Sequence, residues 1–220
     1  MRRIALVLFA LLLGLVVAAP PAAAVPPGTE TRLLGELWTT TLQTPLAKNP
    51  LAGGDPCVPL SGRVVAPFSA FFPELTCTVA PGTRVFVAGL TVECSTVEPP
   101  PFAGTDPASL RDCALAGIRV AALTVTLDGA PLPLTKVVTG PLAVALPDPN
   151  ILSADPGPAT SVAAGRVALT RPLPVGCHVI AIAGTLAPRN PVLVAGAAPA
   201  SFSNTTTIAV SPRGRTVTCD

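Results

Sequence analysis

The sequence has few of the side chains on which enzymes and nucleic-acid-binding proteins depend. It contains one histidine, one tryptophan and no tyrosine, and only 12% of its 220 residues are charged, about half the usual fraction. It has neither a basic stripe for nucleic-acid phosphates nor a glycine-rich phosphate loop for a nucleotide cofactor. We therefore expect no nucleic-acid partner and no cofactor.

The first 24 residues have the pattern of an export signal. Arg2 and Arg3 precede an apolar run over 4–19, and prolines and alanines follow it. A basic start, an apolar centre and an A-x-A end are typical of a secretory signal peptide that is removed after export. The run is shorter than the roughly 20 residues that cross a bilayer. We predict that residues 1–24 are a signal peptide, that the chain is secreted or retained in the cell envelope, and that no membrane span remains.

Six cysteines in an exported chain predict three disulfide bonds. No pair has the CxxC spacing of a zinc site, and a single histidine adds little to such a site. Six cysteines allow 15 pairings, between which spacing alone does not choose. We favour pairing in chain order, which joins Cys57 to Cys77, Cys94 to Cys113 and Cys177 to Cys219.

The rest of the chain is predicted to form one β domain. Residues 25–36 begin rich in proline and glycine and predict a flexible amino-terminal arm, followed by a single domain over 37–220. Short apolar runs separated by proline and glycine turns are typical of antiparallel sheets. We predict an all-β fold, an antiparallel β-sandwich of jelly-roll or immunoglobulin-like type, with one short helix near 107–116.

Local signals place the individual elements. Asp106 is a helix-capping residue and Gly117 a helix stop, and Asp128-Gly129 between apolar runs predicts a hairpin. The return strand of this hairpin contains two prolines, which lack amide donors, so we expect it at a sheet edge. Residues 37–43 fit a first strand or a short helix. Further strands are predicted at 63–68, 84–92, 118–127, 142–146, 166–170, 177–183, 191–195, 205–210 and 216–219.

A series of motifs runs through most of the chain after residue 37. It begins with Asn49-Pro50 and Cys57, and continues with CTVAPGTRVFVAGLTVECSTVE at 77–98, SLRDCA at 109–114, VTLDG at 125–129, RPLPVGCHVIAIAG at 171–184 and SFSNTTTIAV at 201–210. This series resembles a family of uncharacterised exported bacterial proteins with a Pro-rich, disulfide-linked, all-β domain. The resemblance implies one continuous domain and has no assigned activity to transfer. It also places four of the cysteines at matching positions and leaves Cys177 and Cys219 as additions, which supports pairing them with each other.

His178 is the first residue to test for catalysis, because it is the only histidine. Strand alternation puts it on the same face as Ile180 and Ile182. A serine nucleophile would need to lie beside it, and the sequence has no G-x-S-x-G motif. We predict that His178 packs in the structure and has no catalytic role.

Glu93 and Glu98 flank Cys94 and are the best candidates for a catalytic carboxylate pair of the kind that glycosidases use. The shortage of aromatic residues counts against a carbohydrate substrate. A loop carboxylate or an ion pair with Arg111 explains these residues without catalysis.

Asp148, Asn150 and Asp155 offer oxygen ligands that calcium could use. They lack the spacing of a calcium-binding loop, and turn formation explains an Asp-Pro-Asn stretch without a metal. We assign no metal site and keep these three residues as weak candidates.

We therefore predict an exported, disulfide-stabilised structural or binding module whose partner is an unidentified protein or envelope component. The alternative is a secreted hydrolase that acts through Glu93 and Glu98, and a third hypothesis is an inhibitor that presents the loop at 99–101. An enzyme requires carboxylates that converge at a cleft, whereas a binding module requires an apolar patch or groove.

Overall fold

The computed structural model describes residues 28–69, 74–196 and 199–219. The predicted signal peptide over 1–24 lies outside these residues. Of the described residues, 43% lie in strands and 19% in helices, so the chain is mostly β, as predicted. Within the described ranges, every helix is too short or too polar to cross a membrane.

The described residues form three α-helices, eleven strands and two 3₁₀ turns. The helices are α1 (Thr29–Gln43), α2 (Pro107–Gly117) and α3 (Pro191–Val194), and the turns are Leu46–Lys48 and Pro50–Ala52. The strands are β1 (Cys57–Leu60), β2 (Val64–Pro67), β3 (Glu74–Val79), β4 (Arg84–Ser95), β5 (Val120–Leu127), β6 (Ala130–Pro131), β7 (Thr135–Val138), β8 (Leu142–Leu146), β9 (Gly157–Leu169), β10 (Gly176–Leu186) and β11 (Ser201–Val210).

The strands form two mixed sheets. In the first sheet the order is β1-β2-β4-β9-β7, and β8 also pairs with β9; in the second it is β3-β11-β10-β5-β6. Two pairs are parallel, β2 with β4 and β3 with β11, so the prediction of a purely antiparallel fold is wrong. The reason is that β3 lies in the other sheet between β2 and β4, and a chain that leaves a sheet and returns can re-enter it in the same direction. The alternation of apolar and polar residues within one strand does not show whether that strand runs parallel or antiparallel to its neighbour.

The prediction of a flexible amino-terminal arm over 25–36 is wrong from residue 29 onward, because α1 begins at Thr29. Leu33, Leu34 and Leu37 have no solvent exposure. They pack with side chains of the first sheet in one core. The prolines and glycine before residue 29 suggested a loose segment, but the apolar residues that follow recur with helical spacing.

The predicted helix near 107–116 is α2, and its start is capped as expected. The Asp106 carboxylate accepts hydrogen bonds from the amides of Ala108 at 2.8 Å and Ser109 at 3.1 Å. The Ser109 hydroxyl lies 3.1 Å from the Asp106 amide, which completes a capping box.

Two predicted strands are absent from the structure. Residues 191–195 form α3, because the Asn190 side chain accepts a hydrogen bond from the Val192 amide at 2.9 Å and Pro191 favours the first helical turn. Residues 216–219 pair with no strand. By contrast, β8 has the predicted bounds, and β6 is an edge strand beside β5, as its prolines indicated.

The first sheet is covered on both faces, and β4 changes faces at a bulge between Ala88 and Leu90. Before the bulge, Phe86 packs in the core beneath α1, and Val87 packs in the core shared with the second sheet. After the bulge, Leu90 packs in a third core with α2. An extra residue reverses the alternation of a strand, so Val87 and Leu90 lie on the same face of β4. In total, β4 contributes side chains to all three cores.

The three disulfide bonds are Cys57–Cys77, Cys94–Cys113 and Cys177–Cys219, the pairing favoured from the sequence. The first joins β1 to β3 and so connects the two sheets. The second attaches α2 to the end of β4, and the third holds the carboxyl-terminal residues to β10. Three such bonds indicate an oxidising compartment.

Replacement of a buried leucine in α1 tests whether this helix is part of the stable core. We expect Leu34→Ala to lower the free energy of unfolding by about 2–4 kcal/mol, because it leaves a cavity in a close-packed core. Thr40→Ala, at an exposed position of the same helix, should change it by less than about 0.5 kcal/mol. Denaturant unfolding measures both values, and equal small effects would mean that α1 is not part of the cooperative core.

Candidate functional site

A cavity of about 540 Å³ lies between the two sheets, beside β4. One wall is formed by residues 87–92 of β4, and the facing wall by β10 and β11. Trp38 of α1 and Phe68, which follows β2, complete the lining on the first-sheet side. Their rings meet edge to face, with centroids 5.3 Å apart, and this contact holds the two aromatic side chains in a defined arrangement.

Strand alternation explains the wall formed by the second sheet. Ile180 and Ile182 share the inward face of β10, and Phe202 and Thr206 share that of β11. The Phe202 ring lies directly on Gly184, where a Cβ atom would come within 2.5 Å of it. Glycine is therefore needed at position 184 if the ring is to lie flat against β10.

The cavity lining is uncharged. None of the described residues that line it has an ionisable side chain. Six of the described lining residues have a hydroxyl or amide side chain. Among them, the Thr91 hydroxyl accepts a hydrogen bond from Trp38 Nε1 at 2.8 Å and donates one to the Ala164 carbonyl at 2.8 Å. A cavity of this composition favours an apolar, uncharged ligand.

Two polar atoms of the lining have no hydrogen-bond partner among the described residues. They are the Ser69 hydroxyl and the Asn204 side-chain oxygen, and both are buried. Buried polar groups are normally hydrogen-bonded, and leaving one unpaired costs about 1–3 kcal/mol. A ligand that supplies a partner to these atoms would remove that cost.

The sequence analysis did not identify this cavity. One signal was available, because Asn204 interrupts the apolar face of β11 that continues to the fully buried Ile208. A polar residue at an inward position requires a partner. The sequence does not show that Trp38 and Phe68, 30 positions apart in the chain, meet beside β4.

The two glutamates that were predicted as a possible catalytic pair do lie together. Glu93 is only 5% exposed and accepts a hydrogen bond from the Ser161 hydroxyl on β9. Glu98 is half-buried in the loop after β4 and accepts a hydrogen bond from the Ser95 hydroxyl at 2.9 Å. The structure pairs Glu98 with Glu93, and no ion pair with Arg111 is seen among the described residues.

Burial raises the pKa of Glu93 well above its usual value, and the adjacent Glu98 carboxylate raises it further. Burial also raises the pKa of Glu98, although its hydrogen bond from Glu93 opposes that effect. Two carboxyls in contact cannot both ionise readily. The pair therefore keeps a proton at pH values where exposed glutamates have lost theirs.

This geometry does not favour the hydrolase hypothesis. Glycosidases hold their carboxyls roughly 5–9.5 Å apart, with the scissile bond between them. Glu93 and Glu98 are neighbours, and neither lines the cavity beside β4. The pair therefore does not lie at this cavity, where the hydrolase hypothesis would place a substrate.

His178 lies on the inward face of β10, as predicted, and is 8% exposed. Its Nδ1 atom is 2.8 Å from the Asp128 carboxylate, and its Nε2 atom is 3.0 Å from the Pro174 carbonyl. Asp128 is the first residue of the predicted hairpin turn, and its other carboxylate oxygen accepts a hydrogen bond from the Val179 amide at 2.8 Å. His178 therefore attaches the turn to β10.

Both partners of the His178 ring are acceptors, so only the doubly protonated ring satisfies them together. Burial lowers the pKa of His178, but the hydrogen bonds to Asp128 and Pro174 outweigh it and raise this pKa above 6.5. Burial also acts to raise the pKa of Asp128, and the interactions with His178 and Val179 outweigh it and lower this pKa.

The weak metal candidates lie in a loop that Asn150 holds together. Its side-chain nitrogen donates to the carbonyls of Pro147 and Ala154, at 3.0 and 2.8 Å, and its oxygen accepts from the amide of Leu152 at 3.1 Å. Asp148 and Asp155 are exposed. The Asn150 oxygen is thus directed to loop amides, and this is the turn role that the sequence suggested for it.

Replacement of Glu93 tests the buried carboxyl pair. Between pH 4.5 and the raised pKa of folded Glu93, the unfolded chain ionises this residue while the folded chain keeps its proton. Stability should therefore fall as pH rises through this range. Glu93→Gln, which is neutral throughout, should reduce this fall.

The measurement is the free energy of unfolding at pH 4.5, 6 and 8. Glu74→Gln, at an exposed position of β3, is the control and should keep the wild-type pH dependence. If Glu93→Gln and the wild type show the same pH dependence, the conclusion that the folded pair keeps a proton is wrong.

Replacement of His178 tests the ionised form of this ring. A histidine whose folded pKa is raised stabilises the fold fully below pH 6.5, and this contribution is lost as pH rises through the folded value. We expect His178→Gln to lower the free energy of unfolding by about 1 kcal/mol at pH 5.5 and by less at pH 9. An equal loss at the two pH values would show that the charge of His178 is unimportant.

No protein-family model and no curated protein matches the chain. Among solved structures, it is similar to amebosin, at 14% identity over 62% of this chain and 88% of that one, with a TM-score of 0.21. It is also similar to the cysteine protease inhibitor EhICP2 from Entamoeba histolytica, at 11% identity over 63% of this chain and 88% of that one, with a TM-score of 0.23. At such TM-scores, neither similarity assigns a fold or a function to this chain.

Proposed function

We propose that the protein is an exported binding module that holds an apolar, uncharged ligand in the cavity beside β4. The observation that carries this proposal is the cavity itself. Its volume of about 540 Å³ lies within the roughly 300–1,000 Å³ of small-ligand sites. Its lining is mainly aliphatic and aromatic, with a few convergent polar atoms.

The disulfide Cys57–Cys77 supports a preformed site. It joins the two sheets whose walls enclose the cavity, and Leu75 of the lining lies two residues before Cys77 on β3. A covalent bond at this position limits separation of the walls. A preformed site requires less ordering on binding and therefore binds more tightly.

Export to the cell envelope or the exterior is part of the proposal. It is supported by the three disulfides and by the signal-peptide pattern of residues 1–24. The motif series that resembles exported bacterial proteins with a disulfide-linked β domain is consistent with the same location.

We also propose that the two sheets form a β-sandwich. The supporting observation is one core that contains side chains of both sheets, with Val85 and Val87 from the first and Ile180 and Ile208 from the second. Face-to-face packing of two sheets produces such a shared core.

Binding of a neutral, lipophilic fluorophore, N-phenyl-1-naphthylamine, tests the binding role. Trp38 is the only tryptophan and the chain has no tyrosine, so its emission reports on the cavity alone. We expect saturable binding of one fluorophore per chain, with quenching of Trp38. Ala88→Phe, which places a ring at the cavity wall, should weaken binding at least tenfold.

Ala143→Phe is the matched control, because Ala143 is an exposed strand residue outside the cavity. It should bind the fluorophore with wild-type affinity. Thermal unfolding of the two variants checks that each is folded. Binding without quenching of Trp38, or equal weakening by both substitutions, would exclude the cavity as the site.

A further inference from the structure

One edge of β4 has no strand partner beside the cavity. β2 pairs with β4 only as far as Val85 and then continues next to β1 alone. At the other end, Ser95 forms a parallel bridge with Ala103. Between these two points, no strand in residues 28–69, 74–196 or 199–219 lies on this side of β4. Among the described residues, a sheet edge is therefore open along the wall of an apolar cavity.

The hydrogen-bond pattern shows which main-chain groups face this edge. The Val85 carbonyl accepts a hydrogen bond from the Thr170 amide at 2.9 Å. The main-chain amide and carbonyl of Val85 therefore point toward β9. Because the direction alternates along a strand, Phe86 and Ala88 point toward the other side. The parallel register pairs the Phe86 amide with the Val65 carbonyl of β2, and Ala88 faces the open part of the edge.

Beyond the bulge the same reasoning applies from the other end. The amide of Ser95 donates to the Phe102 carbonyl at 3.1 Å, whereas the next amide, of Thr96, donates to the Thr160 carbonyl on β9. The main-chain groups of Ser95 therefore point to the open side. Those of Thr91, four positions earlier, point the same way. Among the described residues, Ala88 and Thr91 pair with no strand on that side.

Unpaired main-chain groups of this kind are complementary to another extended chain. An exposed strand edge presents donors and acceptors at the spacing of a β-strand, and many binding proteins accept a peptide there as an additional strand. A small apolar molecule could fill the cavity, but it would leave these groups without partners. Main-chain hydrogen bonds require a peptide.

The surrounding side chains define the chemistry of that peptide. The described lining has no charge, so a charged side chain in the segment would lose its hydration without gaining a counter-ion. The unpartnered Asn204 oxygen and Ser69 hydroxyl can pair with a hydroxyl or amide group. The cavity wall extends over residues 87–92, which corresponds to a segment of about six residues, or ~20 Å.

We propose that the occupant of the cavity is an extended, uncharged peptide segment of another protein that adds to the open edge of β4 as a strand. This inference rests on the proposed binding role and specifies its ligand. Main-chain hydrogen bonds to Ala88 and Thr91 supply the pairing, and alternate small apolar side chains of the segment enter the cavity. The bridge between Ser95 and Ala103 is a short contact of the same type within the chain.

The test uses a capped hexapeptide, acetyl-Thr-Val-Thr-Val-Ser-Val-amide, and its analogue N-methylated at every residue. The two peptides have the same side chains, but the analogue cannot donate main-chain hydrogen bonds. We expect the first peptide to displace N-phenyl-1-naphthylamine from the cavity and the analogue to do so at least tenfold less tightly. Equal binding of the two peptides, or no binding of either, would overturn the strand-addition proposal.

Amide hydrogen exchange gives a second measurement that needs no variant. Bound hexapeptide should slow exchange at Ala88 and Thr91 at least tenfold, whereas bound fluorophore should not. If the peptide binds without slowing these two amides, it does not pair with β4.

The outcomes separate this inference from the binding role. If the fluorophore binds in the cavity and the peptide does not, the apolar binding site stands and the peptide ligand is wrong. If neither binds, both proposals are wrong.

Discussion

The structure depends on β4, because this strand contributes side chains to all three cores. A regular strand presents its residues to two faces in strict alternation. The bulge between Ala88 and Leu90 interrupts that alternation and puts Val87 and Leu90 on the same face. This face packs in the core shared with the second sheet at one end and in the core with α2 at the other. The end of its pairing with β2 at Val85 then leaves the open edge beside which the cavity lies. Bulge, cavity and open edge are thus consequences of the path of one strand.

The disulfide bonds hold the elements around β4 that hydrophobic packing alone secures least. One connects the two sheets near the cavity, one attaches the short helix α2, and one holds carboxyl-terminal residues that belong to no strand. A chain with 12% charged residues and 28 prolines has few ion pairs and many breaks in its backbone hydrogen bonding. Covalent links that restrict the unfolded chain compensate for this shortage.

The ionisable side chains and the buried amide that drew attention in the sequence make local contacts. His178 and Asp128 connect a hairpin turn to β10, and Asn150 holds its own loop through a fully used amide. Glu93 and Glu98 retain a proton because the fold buries them against each other. These are the residues that looked most like catalytic or metal-binding groups in the sequence, whereas the cavity is lined by side chains without charge. In the binding role that we propose, shape and main-chain hydrogen bonds supply the binding chemistry.

The sequence by itself determined the features that depend on neighbouring residues. The helix cap at Asp106, the hairpin turn at Asp128, the bounds of β8 and the mainly β composition all follow from local patterns. The chain order of the cysteines also suggested their pairing. Tertiary structure decided the rest: α1 is stable because its leucines meet the first sheet, and β2 lies parallel to β4 because the chain crosses to the other sheet between them. The cavity exists only because Trp38, Phe68, β4 and β11 meet in space, and contacts between distant parts of a chain leave no periodic signal in the sequence.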